Sequence, residues 1–285
     1  GYGYCGDWAN TPDKFPDFAA HVEKIHSHHM KCLLWYSVPF VGRYSGIWER
    51  FSGKLLHYDE ELHCGTLDPR YPDVREYLVT VFEKAMKEWK LDGFKLDFID
   101  SFHAYPDTPA YSAPMDFSEI QDAVYALMLE ISRRLQSQNP SLLIEFRQNY
   151  IGPQMRRFGN IFRVGDCPLS GISNRVGITD LKLISGTTAV HSDMLMWHRN
   201  ESPEDVAIQL INNLFATLQI SVRLNEQTGE QKKVLAHYLN FSANYRKTLQ
   251  CGNFRAHAPL ALYPLLEASD DQVWICASYK KDLII

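Results

Sequence analysis

Hydrophobic positions along the chain follow two alternating patterns. Short continuous apolar runs are typical of buried strands, and apolar residues spaced three or four positions apart are typical of helices. The predicted strands of this kind lie at 31–36, 93–99, 142–146, 160–164, 188–190 and 218–222. The predicted helices lie at 16–28, 74–89, 120–135, 178–185, 203–215 and 227–245. This alternation predicts parallel βα units.

The number and size of these units favour an α/β fold of the (β/α)8, TIM-barrel type over an open doubly wound sheet. Mixed polar and aromatic stretches after residue 37, at 101–109 and at 191–197 are predicted to be loops at the carboxyl ends of strands. No glycine-rich phosphate-binding loop follows a predicted strand, which weakens the nucleotide-binding alternative.

The end of the chain changes character. Segments 254–257, 261–263 and 272–278 are predicted to be strands, with a turn at Asp270 and Asp271. They indicate the beginning of an all-β domain that follows the barrel. We therefore expect a catalytic barrel at 1–250 and the start of a C-terminal β domain at 251–285.

Composition and charge exclude several classes of partner. The chain has 285 residues, 45% of them hydrophobic, and a formal charge of −5 without a block of like charges. We therefore expect no nucleic acid and no membrane as partners. No apolar run approaches the roughly 20 residues that span a bilayer. The cysteines are scattered singly, which fits reduced thiols and a cytoplasmic protein, and the first residues show no signal core.

The stretch 93–100, GFKLDFID, carries two charges inside an apolar run. Lys95 and Asp97 lie two positions apart, so they share one face of the predicted strand, and an unpaired buried charge costs several kcal/mol. Two interpretations compete. One is a structural Lys–Asp pair, and the other is a catalytic carboxylate at the carboxyl end of a barrel strand, kept ionised by the lysine.

A second aspartate, Asp166, follows another predicted strand in the sequence RVGD. Two carboxylates that face each other across a sugar ring are what glycoside hydrolysis needs, one as nucleophile and one as general acid and base. The nucleophile must stay ionised, whereas the acid must hold a proton near neutral pH. The alternative for Asp166 is a loop-capping residue before Pro168.

Several motifs in the same order along the chain resemble glycoside hydrolase family 36, the melibiase-type α-galactosidases. These motifs are GDW at 6–8, KCLLW at 31–35, LDP at 67–69, PDVREY at 72–77, KLD at 95–97 and RVGD at 163–166. The resemblance implies a retaining double displacement on terminal α-linked galactose of an oligosaccharide, with Asp97 as nucleophile and Asp166 as acid/base. It implies no cofactor, and it leaves a homo-oligomer of the full-length protein open.

The resemblance also implies a set of substrate contacts. These residues are Lys95, Trp35, Asp7, Trp8, Arg147, His191 and Trp197. Lys95 would hold a sugar hydroxyl, and Trp35 would form a wall of the sugar pocket. The alternatives are a core aromatic for Trp35, a surface ion pair for Arg147 and a structural hydrogen bond for His191.

Two stretches depart from the family pattern. EFRQNY at 145–150 lacks the Cys and glycine-rich run that usually precedes the substrate Arg, and GDCP at 165–168 replaces the usual Thr-Ser-Asp-Asp. Sugar specificity therefore stays open between galactose, N-acetylgalactosamine and the sugars of other α-glycosides of the same clan. A non-catalytic carbohydrate-binding relative is the alternative from another class.

The family resemblance further implies that the barrel is incomplete here. The family has two barrel strands and a β-sandwich before the segment that resembles 6–8, so we expect the intact polypeptide to supply them. A metal-dependent hydrolase is disfavoured, because no HExxH motif occurs and His26, His28 and His29 precede a strand. We therefore expect no metal site.

Overall fold

The computed structural model describes residues 1–281. The chain divides into two compact units, residues 1–145 and the residues from 146 onward. This division does not test the predicted boundary at residue 250, which stays a prediction. None of the helices in the described part of the chain combines the length and apolar character of a membrane-spanning helix.

The first unit contains six strand segments and four helices. The strands are β1 Leu33–Ser37, β2 Phe40–Gly42, β3 Leu55–Asp59, β4 Cys64–Leu67, β5 Gly93–Asp97 and β6 Leu143–Arg147, the last of which crosses the boundary between the units. The helices are α1 Phe18–Ser27, α2 Trp48–Phe51, α3 Pro72–Trp89 and α4 Ile120–Gln138. Parallel pairing of β1 with β5 and of β5 with β6 confirms the predicted βα units.

The core of the first unit lies between the parallel strands and α3. The ring of Phe94 on β5 lies 5.5 Å from that of Phe82 on α3 and 5.7 Å from that of Tyr36 on β1. Because side chains alternate along a strand, burying Phe94 and Leu96 against this layer turns Lys95 and Asp97 to the opposite face. The apolar pattern of β5 thus determines where its charges lie.

A three-stranded antiparallel sheet with the order β2, β4, β3 replaces the long loop predicted after residue 37. That prediction was wrong. Strands β2 and β4 are short and contain glycine, which is a turn signal in sequence. Gly42 is required by packing, because a Cβ there would lie 2.2 Å from backbone atoms of Gly3. The Gly42 N–H donates to the Cys5 carbonyl at 2.7 Å, so the first residues cover this sheet.

The second unit continues the βα alternation. Its strands are β7 Ile161–Arg163, β8 Ala189–Leu195 and β9 Thr217–Ile220, and its helices are α5 Gly171–Ser185, α6 Pro203–Asn212, α7 Gly229–Asn244 and α8 Arg246–Cys251. Strand β8 pairs in parallel with both β7 and β9. With the first unit, this confirms an α/β fold built on parallel strands and helices.

Strand β8 is longer than predicted. The predicted loop at 191–197 is wrong up to Leu195, because polar residues there continue the ladder with β9. The register shifts between His191 and Met194, and the Ser192 hydroxyl accepts a hydrogen bond from the Gln219 backbone N–H at 3.0 Å. When such a hydrogen bond compensates for the burial of a polar residue in a strand, the sequence alone still predicts a loop at that residue.

The end of the described chain forms a three-stranded antiparallel sheet. Its strands are β10 Asn253–His257, β11 Leu265–Ser269 and β12 Trp274–Ser278. The predicted strand at 261–263 is wrong: residues Pro259–Ala261 form a 3-10 helix, and Leu262 and Tyr263 have φ values of 59° and 53°. That this sheet begins a larger β domain reaching residue 285 stays a prediction, and residues 282–285 lie outside the described part.

Candidate active site

Asp97 ends β5 with its side chain buried and both carboxylate oxygens hydrogen-bonded. The indole N–H of Trp35 on β1 donates to Oδ2 at 2.9 Å, and the backbone N–H of Phe98 donates to Oδ1 at 2.9 Å. Phe98 has a φ of 63°, so the chain turns sharply as the strand ends. The Trp35 indole N–H and the Phe98 backbone N–H thus orient the carboxylate from two sides.

Lys95 lies next to a carboxylate that the sequence interpretation missed. Its Nζ is 3.9 Å from Oε1 of Glu145, and the two residues are register partners on β5 and β6. Glu145 is only 4% exposed. A signal was present, since Glu145 stands in an apolar strand just as Lys95 does. The structure thus places an ion pair, Lys95 with Glu145, on the strands beside Asp97.

Aromatic rings lie around the end of β5, and of these only Trp35 was a predicted contact. The Phe98 ring lies 6.3 Å from that of Trp35, 5.1 Å from that of Phe40 and 5.8 Å from that of Tyr2. Trp35 itself is 43% exposed. Exposed faces of aromatic rings can pack against the apolar face of a sugar. For Tyr2 and Phe40, the signal in the sequence was the aromatic content of segments that were interpreted as loops.

The predicted contacts Asp7 and Trp8 have partners within the protein. The Asp7 carboxylate accepts hydrogen bonds from the backbone N–H groups of Gly46 and Ile47 at 2.8 and 3.1 Å. The Trp8 ring lies 4.7 Å from that of Tyr36. A cavity of about 210 Å³ is lined by Trp8, Trp35 and neighbouring aromatics. Trp8 is therefore placed beside Trp35, and Asp7 stabilises the loop before α2.

In the second unit, Asp166 follows β7 and forms an ion pair with Arg163, at 2.7 Å between Oδ1 and Nη2. Its side chain is 65% exposed, whereas that of Arg163 is 3% exposed. Arg163 Nη1 also lies 2.6 Å from Oδ1 of the fully buried Asp193. Asp193, which accepts a hydrogen bond from the Cys167 N–H, was missed because it fell in a predicted loop. Arg163 and Asp193 together hold the segment that carries Asp166.

The other predicted contacts in the second unit differ in their surroundings. The Arg147 guanidinium donates to the Gln148 carbonyl at 3.1 Å. His191 on β8 lies with Nδ1 3.0 Å from the Gln219 side-chain nitrogen. Trp197 is buried in an apolar cluster and donates its indole N–H to Gln227 at 2.7 Å. Trp197 therefore has a packing role, and a substrate contact for any of these three stays a prediction.

Metal ligation has no candidate in residues 1–281, where no group of three or more His, Cys, Asp or Glu side chains is arranged to hold an ion. The surroundings of Asp97 are instead hydrogen-bond donors and aromatic rings. Such a site can offer an oriented carboxylate to a polar substrate with an apolar face.

No family model matches the chain. Several solved structures, in contrast, have a fold similar to that of the chain. An α-galactosidase from Lactobacillus brevis has a TM-score of 0.74 at 19% identity, covering 94% of this chain and 38% of that one. The family 36 α-galactosidase AgaA from Geobacillus stearothermophilus has a TM-score of 0.76 at 16% identity, covering 98% of this chain and 39% of that one. The chain has the fold of the family 36 α-galactosidases.

The resemblance to family 36 is thus confirmed at the level of fold. Variants of AgaA have been solved in complex with raffinose and with stachyose. In sequence, the chain is 26% identical over 149 residues to the A type blood α-D-galactosamine galactosaminidase of Flavonifractor plautii, covering 45% of this chain and 14% of that protein. The chain therefore spans well under half the length of these relatives.

Proposed function

We propose that the chain carries the catalytic centre of a retaining α-glycosidase that removes terminal α-linked galactose from oligosaccharides or glycoconjugates. The observation that carries the proposal is the buried carboxylate of Asp97, oriented by Trp35 and Phe98 at the carboxyl end of β5. Catalytic groups of βα-barrel enzymes lie at this end of the strands. The fold of family 36 supports the same reaction class.

In the proposed first step, a carboxylate oxygen of Asp97 attacks the anomeric carbon of the sugar. The bond from that carbon to the leaving oxygen breaks, and its electron pair stays on the oxygen. Asp166 donates a proton to this oxygen, so the leaving group departs as an alcohol. The sugar remains bound to Asp97 as a glycosyl ester.

In the proposed second step, water attacks the anomeric carbon and Asp166 accepts its proton. The ester bond breaks and the Asp97 carboxylate is restored. The exposure of Asp166 suits this contact with water. Because each step inverts the anomeric centre, the released sugar keeps the α configuration.

Lys95 and Trp35 are the proposed sugar contacts in the first unit. The ammonium of Lys95 can donate to a sugar hydroxyl while Glu145 neutralises its charge. The exposed ring of Trp35 can pack against the sugar while its N–H stays on Asp97. Raffinose and stachyose, bound by AgaA variants, support an oligosaccharide as the substrate.

Terminal α-linked galactosamine is a second candidate substrate, favoured by the match to the galactosaminidase of Flavonifractor plautii. An amino sugar carries a positive charge at neutral pH. N-acetylgalactosamine lacks this charge. The rates at which α-linked galactose, galactosamine and N-acetylgalactosamine are released can therefore distinguish the three candidate substrates.

The test uses the longest polypeptide that contains this chain, since the relatives are longer. Aryl α-galactoside, α-galactosaminide and α-N-acetylgalactosaminide are compared as substrates, and the first sugar released is examined by proton NMR. We expect the galactoside to have the highest kcat/KM and the first product to be the α-anomer. A β-anomer would exclude retention, and no cleavage of any α-glycoside would favour a carbohydrate-binding protein.

A further inference from the structure

Trp35 does more at this site than present a ring to the sugar. Its indole N–H donates to Oδ2 of Asp97 at 2.9 Å, while the residue as a whole is 43% exposed. Ring and N–H therefore have separate partners. A wall for the sugar needs only the ring, so the hydrogen bond requires its own explanation.

The hydrogen bond is set by strand pairing. Trp35 and Lys95 are register partners on β1 and β5, and Ser37 and Asp97 are the partners two positions further on. The indole must therefore reach along the strand pair to the carboxylate. Because the Phe98 N–H donates to the other oxygen, hydrogen bonds on both sides restrain the rotation of the carboxylate.

We propose that Trp35 is a positioning residue whose N–H promotes the second chemical step, the departure of the Asp97 carboxylate from the anomeric carbon. The inference rests on the proposed function. A charged carboxylate is a stronger hydrogen-bond acceptor than an ester. The bond therefore strengthens as the ester breaks and negative charge returns to Asp97. Only an interaction that is stronger in the transition state than in the preceding state accelerates a step.

The same bond has a different effect on the first step. There the carboxylate begins fully charged and loses charge as it attacks, so the N–H stabilises the starting state more than the transition state. The same hydrogen bond also orients the carboxylate for attack, and this gain in the rate of the first step offsets the stabilisation of the starting state. The N–H should thus matter little for kcat/KM, which reports the first step, and much for the second step.

The test compares Trp35→Phe, which keeps an aromatic ring without the N–H, with wild type. The substrate is 2,4-dinitrophenyl α-galactoside, whose good leaving group makes the second step limiting. We expect kcat to fall about tenfold, with kcat/KM changed less than about threefold. A burst of dinitrophenolate and a covalent galactosyl adduct on Asp97, seen by mass spectrometry, should grow in the variant.

Two further variants secure the comparison. Trp35→3-benzothienylalanine replaces the N–H by sulfur in a ring of the same shape, and it should reproduce the effect if Trp35→Phe folds poorly. Trp274→Phe is the matched control, because the Trp274 indole N–H on β12 also donates to a carboxylate, that of Glu267 on β11 at 3.0 Å, and neither residue belongs to the proposed site. It should keep wild-type kinetics.

The outcomes separate this inference from the proposed function. An increased KM, a matching fall in kcat/KM and no adduct accumulation in both Trp35 variants would overturn the positioning role and leave a sugar wall. The proposed function would survive that result, because wild type would still form its adduct on Asp97. Absence of any adduct on Asp97 in wild type would overturn the proposed function itself.

Discussion

Arg163 and Asp193 form a buried ion pair, with Nη1 of the guanidinium 2.6 Å from Oδ1 of the carboxylate. Neither side chain reaches solvent to a useful extent, at 3% and 0% exposure. Nη2 of the same guanidinium lies 2.7 Å from Asp166, and the Cys167 N–H donates to Asp193. The position of the proposed acid/base, Asp166, thus depends on the buried pair of Arg163 and Asp193. If one member of the pair were removed, water could not reach the other to replace the lost interaction.

Replacing Asp193 by alanine should unfold the second unit more easily. The change leaves Arg163 buried and charged without this partner, which costs about 3 to 5 kcal/mol. Urea denaturation measures the loss in the free energy of unfolding. The control Asp271→Ala removes an exposed carboxylate and should change stability by less than about 0.5 kcal/mol. Equal effects of the two substitutions would show that the buried pair is not structural support.

Replacing Glu145 by glutamine should weaken substrate binding more than it weakens the fold. The change keeps the side-chain shape but removes the negative charge beside Lys95, so the ammonium shifts away from its place for a sugar hydroxyl. We expect kcat/KM to fall about 10- to 100-fold, mainly through KM. Glu130→Gln, which alters an exposed pair with Arg133, is the control and should leave kinetics unchanged. Unchanged KM in Glu145→Gln would contradict this role for the pair.

Lys182 should make stability rise with pH. Burial lowers the pKa of this lysine to about 8, while its ammonium donates to the carbonyls of Leu249 and Gln250 near the end of α8. An unfolded lysine has a pKa of about 10.4, so between pH 8 and about 10.4 the unfolded chain binds more protons. The lysine's contribution to the free energy of unfolding therefore increases across this window, and its full cost applies below pH 8.

The difference between wild type and Lys182→Met isolates this effect. When urea midpoints are measured from about pH 7 to 10.5, the midpoint of wild type should increase relative to that of the variant as pH rises. The control is Lys247→Met, at an exposed position, and it should run parallel to wild type throughout. A constant difference for Lys182→Met would mean that the lysine titrates normally in the folded protein.

The site could be predicted from sequence only where a residue broke a clear pattern. Lys95 and Asp97 stand out because charges interrupt an apolar run, and the structure does place Asp97 buried at the end of β5. Glu145 breaks the pattern of β6 in the same way, yet its significance depends on register pairing with Lys95. The sequence alone does not show which residues of β5 and β6 are register partners, because the two strands lie far apart in the chain.

The remaining misses have a common physical cause. Asp193 and Ser192 are polar residues buried in a strand, where the ion pair with Arg163 and the hydrogen bond from the Gln219 backbone N–H, respectively, compensate for burial of their side chains. The sheet of β2, β3 and β4 depends on contact with residues 1–5, which is a tertiary effect. Local propensity cannot reveal either, because the stabilising partner lies far away along the chain.

Azide rescue of Asp97→Ala tests most directly whether Asp97 is the nucleophile. The substitution leaves room for a small anion at the anomeric carbon. With an aryl α-galactoside we expect the rate to fall at least about 1,000-fold and azide to restore it, yielding β-galactosyl azide. Asp166→Ala with azide should instead yield the α-azide. Wild-type turnover by Asp97→Ala without azide would contradict the role of Asp97 as the nucleophile.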